Sequence, residues 1–213
     1  TLPKDWKSAQ ALALTATDIH GDEIFRWVWK IQSNEAMLAD LVTMEGKGSV
    51  ELTEKDSIVT VKGGDISVSF SKNTGKLVSL ANARSAGLSF NNGPVLVSGN
   101  ARFVSLKHRK DGDNVIIEAA YEGDMKTVKW TMYPSGWLQM DYSYSLQGKY
   151  PFAGISFSYP INFVMNAKWM GKGPYRVWKN RMQGVTYNVW ANDKNDTQAG
   201  SFPWIFPEFK GYF

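Results

Sequence analysis

Apolar and polar residues alternate in short runs along most of this chain, and that period of two predicts β-strands. Residues 11–17 alternate, residues 18–23 form a turn signal, and residues 24–31 alternate again, which predicts an N-terminal β-hairpin. Because a lone hairpin is marginally stable, we expect it to pack on another element. Residues 33–47 break the pattern. Residues 34–41 can form one or two helical turns, so we interpret the break as a linker.

From residue 49 onward the chain is a series of short alternating runs separated by turn signals. Gly63-Gly64-Asp65 and Pro134-Ser135-Gly136 are two of these turns, and residues 91–94 are interpreted as another break. The runs do not alternate with helices, so we predict an all-β fold, a large antiparallel β-supersandwich, rather than a nucleotide-binding α/β fold. The predicted strands are residues 50–53, 58–62, 66–70, 77–80, 101–106, 114–121, 126–133, 137–146 and 155–159.

Composition narrows the classes of function without identifying one. The 213 residues have a formal net charge of +4, but lysine and arginine do not cluster, so we predict no nucleic-acid partner. Cysteine is absent, which excludes disulfides and cysteine metal sites, and no apolar run has the length of a membrane span. Nine tryptophans are typical of sugar-binding β proteins and also of large sandwich cores. The chain starts inside a strand pattern and ends in aromatic sequence, so we expect a fragment of a longer protein.

Candidate acid–base and metal-binding residues are few. The two histidines have no second histidine nearby in sequence, so no metal site is expected. We place His20 in the first hairpin turn and His108 at a charged strand end, both in surface turns. The aspartates of residues 111–113 are interpreted as a hairpin turn and those of residues 193–196 as a solvated loop. The chain therefore shows no carboxylate pair of the kind that glycoside hydrolysis needs.

The segment from residue 169 to residue 181 is the densest in residues with special conformational or binding properties. Its two glycines and its proline predict a rigid, irregular loop rather than a strand or a helix. Its aromatic rings and arginine forks suit either a packed corner or a rim that faces a sugar, and the residues alone leave both open. Glu208, in an apolar setting further on, either pairs with one of these arginines or faces a ligand.

Two motifs of the chain resemble segments of the C-terminal domain of family 2 glycoside hydrolases, the β-galactosidase small-chain type. Where the family has Trp-x-Gly-x-Gly-Pro-x-Glu-x-Tyr-x-Asp-Arg, this chain has Trp169-x-Gly171-x-Gly173-Pro174 and continues to Arg181. A later segment, residues 203–211, resembles the family's Pro-Tyr-Val-x-Pro-Gln-Glu-x-Gly. The chain departs from the first motif at Arg176, where the family has Glu, at Trp178, where it has Tyr, and at Asn180, where it has Asp. It departs from the second motif at Glu208, where the family has Gln, and at Phe209, where it has Glu.

The resemblance implies a supersandwich similar to galactose mutarotase over residues 46–213, truncated at its C-terminus. Residues 1–45 then correspond to the end of an immunoglobulin-like β-sandwich domain plus a linker. The family's catalytic carboxylates lie in a separate barrel domain, so the fragment alone is expected to be inactive. Its implied partners are carbohydrate and the barrel of the same parent chain, with no cofactor and no membrane. A polysaccharide-degrading enzyme of this type is expected in the periplasm or outside the cell rather than in the cytoplasm.

The resemblance also divides the singled-out residues into two groups. The carbohydrate-binding candidates are those whose side chains suit a sugar, namely Tyr175, Arg176, Trp178, Asn180, Trp204 and Glu208. The residues expected to shape the loop itself are Trp169, Gly171, Gly173, Pro174 and Arg181.

Two other hypotheses stay open. The chain could be a stand-alone carbohydrate-binding module that stacks sugars on Trp169, Tyr175, Trp178 or Trp204, or a small enzyme that uses carboxylates of the sandwich itself. Solvent exposure separates the binding module from a supporting domain, because coplanar exposed rings favour sugar binding and buried rings favour packing.

Overall fold

The structure is a computed structural model that describes residues 2–83, 85–173 and 185–193, and the statements below concern those residues. Most of them lie in antiparallel β-strands, which confirms the predicted all-β fold. Short 3-10 helices occupy Trp6–Ser8 and Ile161–Phe163. The remaining elements are β1 (Ala11–Thr17), β2 (Glu23–Lys30), α1 (Asn34–Leu41), β3 (Glu51–Lys55), β4 (Ile58–Gly63), β5 (Ile66–Ser71), β6 (Leu77–Asn82), β7 (Ser85–Gly93), β8 (Val95–Leu96), β9 (Ala101–Asp111), β10 (Asn114–Gly123), β11 (Met125–Met132), β12 (Leu138–Tyr144), β13 (Ile155–Ser156), β14 (Asn166–Gly173) and β15 (Thr186–Asp193).

The chain divides into two compact units, which are described separately. Unit 1 has the bounds Thr1–Leu41 and Ile161–Phe213, and unit 2 has the bounds Val42–Pro160. The division into residues 1–45 and residues 46–213 that the resemblance implies stays a prediction.

Unit 2 is a β-sandwich with two main antiparallel sheets. One sheet has five strands in the order β3-β4-β5-β6-β7, and the other has four in the order β12-β11-β10-β9. Alternation along the strands sorts the side chains between core and solvent. In β4, Val59 and Val61 are fully buried, whereas the hydroxyl of Thr60 between them lies 2.9 Å from that of Ser69 on β5. The period of two in the sequence thus marks the inner face of each sheet.

The core of unit 2 is formed by side chains of both sheets. The rings of Phe70 on β5 and Trp130 on β11 approach to 5.5 Å between centroids and join the two layers. Burial of each large apolar side chain contributes about 1.5–3 kcal/mol, so this interior is the main source of the unit's stability. Its buried members are Val50, Val59, Val61, Val68, Phe70, Leu77, Leu96, Val115, Ile117, Met125, Val128, Trp130 and Met132.

Unit 1 contains the β1–β2 hairpin, helix α1 and the β14–β15 ribbon. The hairpin pairs as predicted, and in its turn the Asp18 carboxylate accepts the backbone N–H groups of His20 and Asp22 while Gly21 takes φ +91°. The helical turns predicted at residues 34–41 are also confirmed. The hydroxyl of Ser33 accepts the N–H of Ala36 at 3.2 Å, so it caps the N-terminus of α1.

The structure departs from the predicted strands of unit 2 at several places, including β7 and β13. Strand β7 was not predicted because Asn-Asn-Gly-Pro reads as a break, yet Gly93 pairs with Leu77. A side chain at Gly93 would overlap the ring of Phe157, which explains a glycine inside this strand. The predicted strand at residues 155–159 is shorter, since β13 pairs with only the two residues of β8.

Candidate functional site

The start of the predicted loop at residues 169–181 is a strand. Residues 169–173 belong to β14, which pairs antiparallel with β15 over its whole length, so the expectation of an irregular loop is wrong for this part. The other predicted site residues fall outside the described residues and are not discussed structurally. They are Pro174, Tyr175, Arg176, Trp178, Asn180, Arg181, Trp204 and Glu208.

Two tryptophans lie opposite each other on one face of the β14–β15 ribbon. Trp169 pairs with Trp190 across the strands, and both are half-buried. The indole N–H of Trp169 donates to the carbonyl of Lys172 at 3.3 Å, and that of Trp190 donates to the carbonyl of Gly171 at 3.1 Å. Both indole N–H groups therefore have hydrogen-bond partners within the ribbon, and sugar stacking on the ring of Trp169 stays a prediction.

The two glycines of the motif do not serve the role that the sequence predicted. Neither has a backbone φ in the left-handed region, so neither is required for its conformational freedom. A Cβ on Gly173 would lie 2.7–3.0 Å from three atoms of the Trp190 indole, whereas a Cβ on Gly171 would meet only Trp169, at 3.8 Å. Gly173 therefore makes space for the Trp190 ring, and Gly171 has no such requirement.

The opposite face of the ribbon borders two grooves of unit 1. The larger, of about 790 Å³, lies between the ribbon and helix α1 and is lined by Met37, Leu38 and Leu41. Its polar lining consists of Lys30, Asn34 and Lys172, and the Tyr187 hydroxyl approaches the Met37 sulfur at 3.7 Å. The smaller, of about 330 Å³, lies between the ribbon and the hairpin. Neither groove is lined by a carboxylate or an imidazole among the described residues, so neither has the groups for acid–base catalysis.

His108 lies inside strand β9 and not in a turn, which corrects the prediction. Its Nε2 is 2.9 Å from Oε2 of Glu54 on β3, and the Lys72 ammonium donates to the other oxygen of that carboxylate. The hydrogen bond from Lys72 lowers the pKa of Glu54 below its usual value, and the hydrogen bond with His108 lowers it further by a smaller amount. The cluster joins the edge strands of the two sheets at the surface of unit 2, and it has the composition of an ion pair rather than of a hydrolytic site.

The other acid–base residues that the structure describes lie at the surface. His20 is in the β1–β2 turn and Asp113 is in the β9–β10 turn, both as predicted, whereas Asp111 is the last residue of β9. Asp193 is the last residue of β15, not part of a loop, and Asp196 is outside the described residues. Across the part of the chain that the structure describes, no group of three or more His, Asp or Glu is placed to hold a metal ion. In the same residues no helix is long and apolar enough to cross a membrane.

Sequence reasoning missed the partner strand of this ribbon. Residues 186–193 alternate Tyr187, Val189 and Ala191 with Asn188 and Trp190, so the strand signal was present but was read as turn-rich sequence.

Comparison with known proteins adds no family: a scan against protein-family models finds no match, and a search of the curated proteins finds none.

Proposed function

We propose that this chain is a non-catalytic β-sandwich region of a multidomain glycoside hydrolase of the family 2, β-galactosidase-like type. In this role it supports a catalytic barrel of the parent chain and borders the sugar site. The carboxylates that hydrolyse the O-glycosidic bond belong to the barrel. Support comes from the two ordered sequence motifs and from the antiparallel sandwich that the described residues form.

The observation that carries the proposal is the exposed aromatic face of the N-terminal hairpin. Leu12 pairs with Trp29, Leu14 with Trp27 and Ala16 with Phe25, so all of these side chains share one face. The three aromatic side chains are 44–50% exposed. Such rings each leave about 100 Å² uncovered, and covering all three contributes about 7 kcal/mol. A sheet face of this composition is suited to packing against another domain rather than to water.

Oxidative footprinting tests this supporting role. We expect Trp27 and Trp29 to be modified rapidly in the 213-residue chain and protected in the intact gene product. Trp137 is the control, because it is equally exposed (44%) but lies in unit 2, and its modification is expected to be the same in both. Equal modification of Trp27 in the two proteins contradicts the supporting role.

The sugar-bordering part of the proposal concerns Arg176, Trp178 and Asn180, where the chain departs from the family pattern. In the intact gene product, R176A is expected to raise the KM for an aryl glycoside about tenfold with kcat unchanged, because a charged hydrogen bond to the substrate is lost. K168A, which removes an exposed cation from β14, is the matched control and is expected to leave KM unchanged. Equal effects of the two substitutions count against a sugar contact at Arg176.

A stand-alone carbohydrate-binding module is the second candidate, and one observation in unit 2 favours it. The rings of Tyr142 and Tyr144 on β12 are nearly parallel, with 3° between their planes and 6.1 Å between their centroids, and Tyr142 is 45% exposed. Retention of the isolated chain on an insoluble polysaccharide, with loss of retention in Y142A, supports this candidate. No retention rejects it.

A further inference from the structure

A cleft of about 520 Å³ opens at one end of the sandwich in unit 2. Three segments form it: residues 44–46 after the helix, the β9–β10 turn at residues 111–114, and residues 133–134 at the end of β11. These segments are far apart in sequence, so the cleft is a product of the tertiary fold. From the sequence, residues 111–113 and 134–136 are predicted to be turns and residues 33–47 a linker, and none of them is assigned a binding role.

Backbone contacts fix the walls of this cleft. Gly46 approaches the backbone of Pro134 and Ser135 so closely that a Cβ at this position would overlap it. The Ser135 hydroxyl donates to the carbonyl of Met44 at 3.3 Å, and the N–H of Val50 donates to the carbonyl of Asp113 at 2.8 Å. Both sides of the cleft are therefore held in place before any ligand arrives, which reduces the entropic cost of binding.

The lining of the cleft combines polar side chains that lack partners with an apolar side. The side chains of Glu45, Asp113 and Asn114 make no hydrogen bond or ion pair with the described residues. Met44 and Tyr133 line the cleft as well. The Tyr133 hydroxyl donates to Oε1 of Gln139 at 2.9 Å, which fixes the orientation of its side chain.

The charge around the cleft restricts the ligand. Glu45, Asp111 and Asp113 contribute three carboxylates, of which only Asp111 has an ion pair with a described residue, since Nη1 of Arg109 lies 3.3 Å from its Oδ1. An anionic ligand is repelled by this arrangement. A neutral ligand with many hydroxyl groups can donate to the carboxylates and bond the amide of Asn114.

We propose that this cleft binds a single hexose-sized sugar ring that carries no negative charge. Carboxylate and amide groups bind vicinal hydroxyls, while Met44, Pro134 and Tyr133 contact the apolar C–H face of the ring. The volume of the cleft lies within the range of small-ligand sites. This inference rests on the cleft alone and goes beyond the proposed function, because it holds whether or not a catalytic barrel accompanies the chain.

Amide chemical-shift titration of the 213-residue chain tests the proposal. Glucose, galactose and glucosamine are expected to shift the amide signals of Gly46, Gly112 and Asn114, with Kd values of about 1–10 mM. Glucuronate is expected to bind at least tenfold more weakly than glucose, because its carboxylate faces three others. No shift at these three amides with any uncharged sugar overturns the proposal, and so does equal binding of glucuronate and glucose.

Two matched variants locate the site. D113N is expected to weaken glucose binding about tenfold, since it replaces a charged acceptor by a neutral one. D56N changes an aspartate in the two-residue turn between β3 and β4, which does not line the cleft, and is expected to leave binding unchanged. Equal weakening by the two variants overturns the assignment. Because these titrations need no glycosidase activity, they can fail or succeed separately from the proposed function.

Discussion

Replacing Gly173 by alanine tests why glycine stands at the end of β14. The added Cβ would lie 2.7 Å from Nε1 and 2.8 Å from Cδ1 of the Trp190 indole, so the ring has to move. Overpacking of this kind costs about 1–3 kcal/mol. A moved ring also loses the hydrogen bond from its N–H to the carbonyl of Gly171, which contributes about 0.5–1.5 kcal/mol. We therefore expect G173A to reduce the local stability of the ribbon by about 2–4 kcal/mol.

The matched control is G171A, two residues earlier in the same strand. Its Cβ would meet only Trp169, at an ordinary contact distance of 3.8 Å, and its backbone is not left-handed. Since glycine inside a strand is less favourable than alanine by about 0.5–1 kcal/mol, G171A is expected to be neutral or slightly stabilising.

Hydrogen–deuterium exchange of the peptides that cover residues 166–173 and 186–193 measures these changes locally, independently of unit 2. We expect faster exchange in G173A, unchanged or slower exchange in G171A, and recovery in G173A combined with W190F, whose smaller ring leaves room for the methyl group. Equal loss of protection in G171A and G173A refutes the argument, because it means that backbone freedom rather than space for Trp190 selects the glycines.

Two further predictions concern unit 2. Glu54 has a lowered pKa in the folded state, so its pairing with Lys72 and His108 stabilises the fold at pH values above the usual pKa of 4.5, and this stabilisation is lost as the pH falls through the folded-state pKa. The E54Q variant is therefore expected to have a flatter acid limb in a stability–pH profile measured by chemical denaturation. An unchanged acid limb contradicts the assignment. Gly75 has φ +69° and a Cβ there would lie 2.6 Å from the ring of Phe103, so G75A is expected to cost about 2–4 kcal/mol. G112A has a similar φ of +63° but nothing within 4 Å, so it is expected to cost only about 1–2 kcal/mol, and equal losses in the two variants rule out the packing contribution.

The strands of the sandwich could be predicted wherever one face of the sheet is buried and the other is exposed to solvent. In β5, Val68 and Phe70 alternate with Ser67 and Ser69, and this alternation determines both the element and its inner face. The N-terminal hairpin was predicted from the period of two along both of its strands, with Asp18 and Gly21 supplying the turn.

Prediction failed where a tertiary contact decided the local structure. A glycine stands inside the strand at position 93 because the ring of Phe157 occupies the space beside it, and no local pattern shows that neighbour. His108 was placed in a turn because charged residues surround it, yet β9 continues to Asp111 with those side chains in solvent. Gly173 was assigned a conformational role because the position of Trp190 across the ribbon is not visible in the sequence of the motif.

The two candidate sites also differ in how far they could be predicted from the sequence. The aromatic and arginine residues of the segment beyond Gly173 could be singled out from sequence because their types and spacing are unusual, and their sugar-facing role stays a prediction. The cleft at residues 44–46 could not be found, since ordinary turn residues such as Asp113 gain a binding role only when Met44 and Tyr133 are brought opposite them.

The rate of aryl β-galactoside hydrolysis by two proteins, the 213-residue chain and the intact gene product, tests the central claim most directly. If the chain is a supporting region whose chemistry lies in a separate barrel, the intact product turns over the substrate and the chain shows no turnover above buffer. Turnover by the purified chain that is abolished by a carboxylate substitution within it, or an intact product without glycosidase activity, contradicts the account.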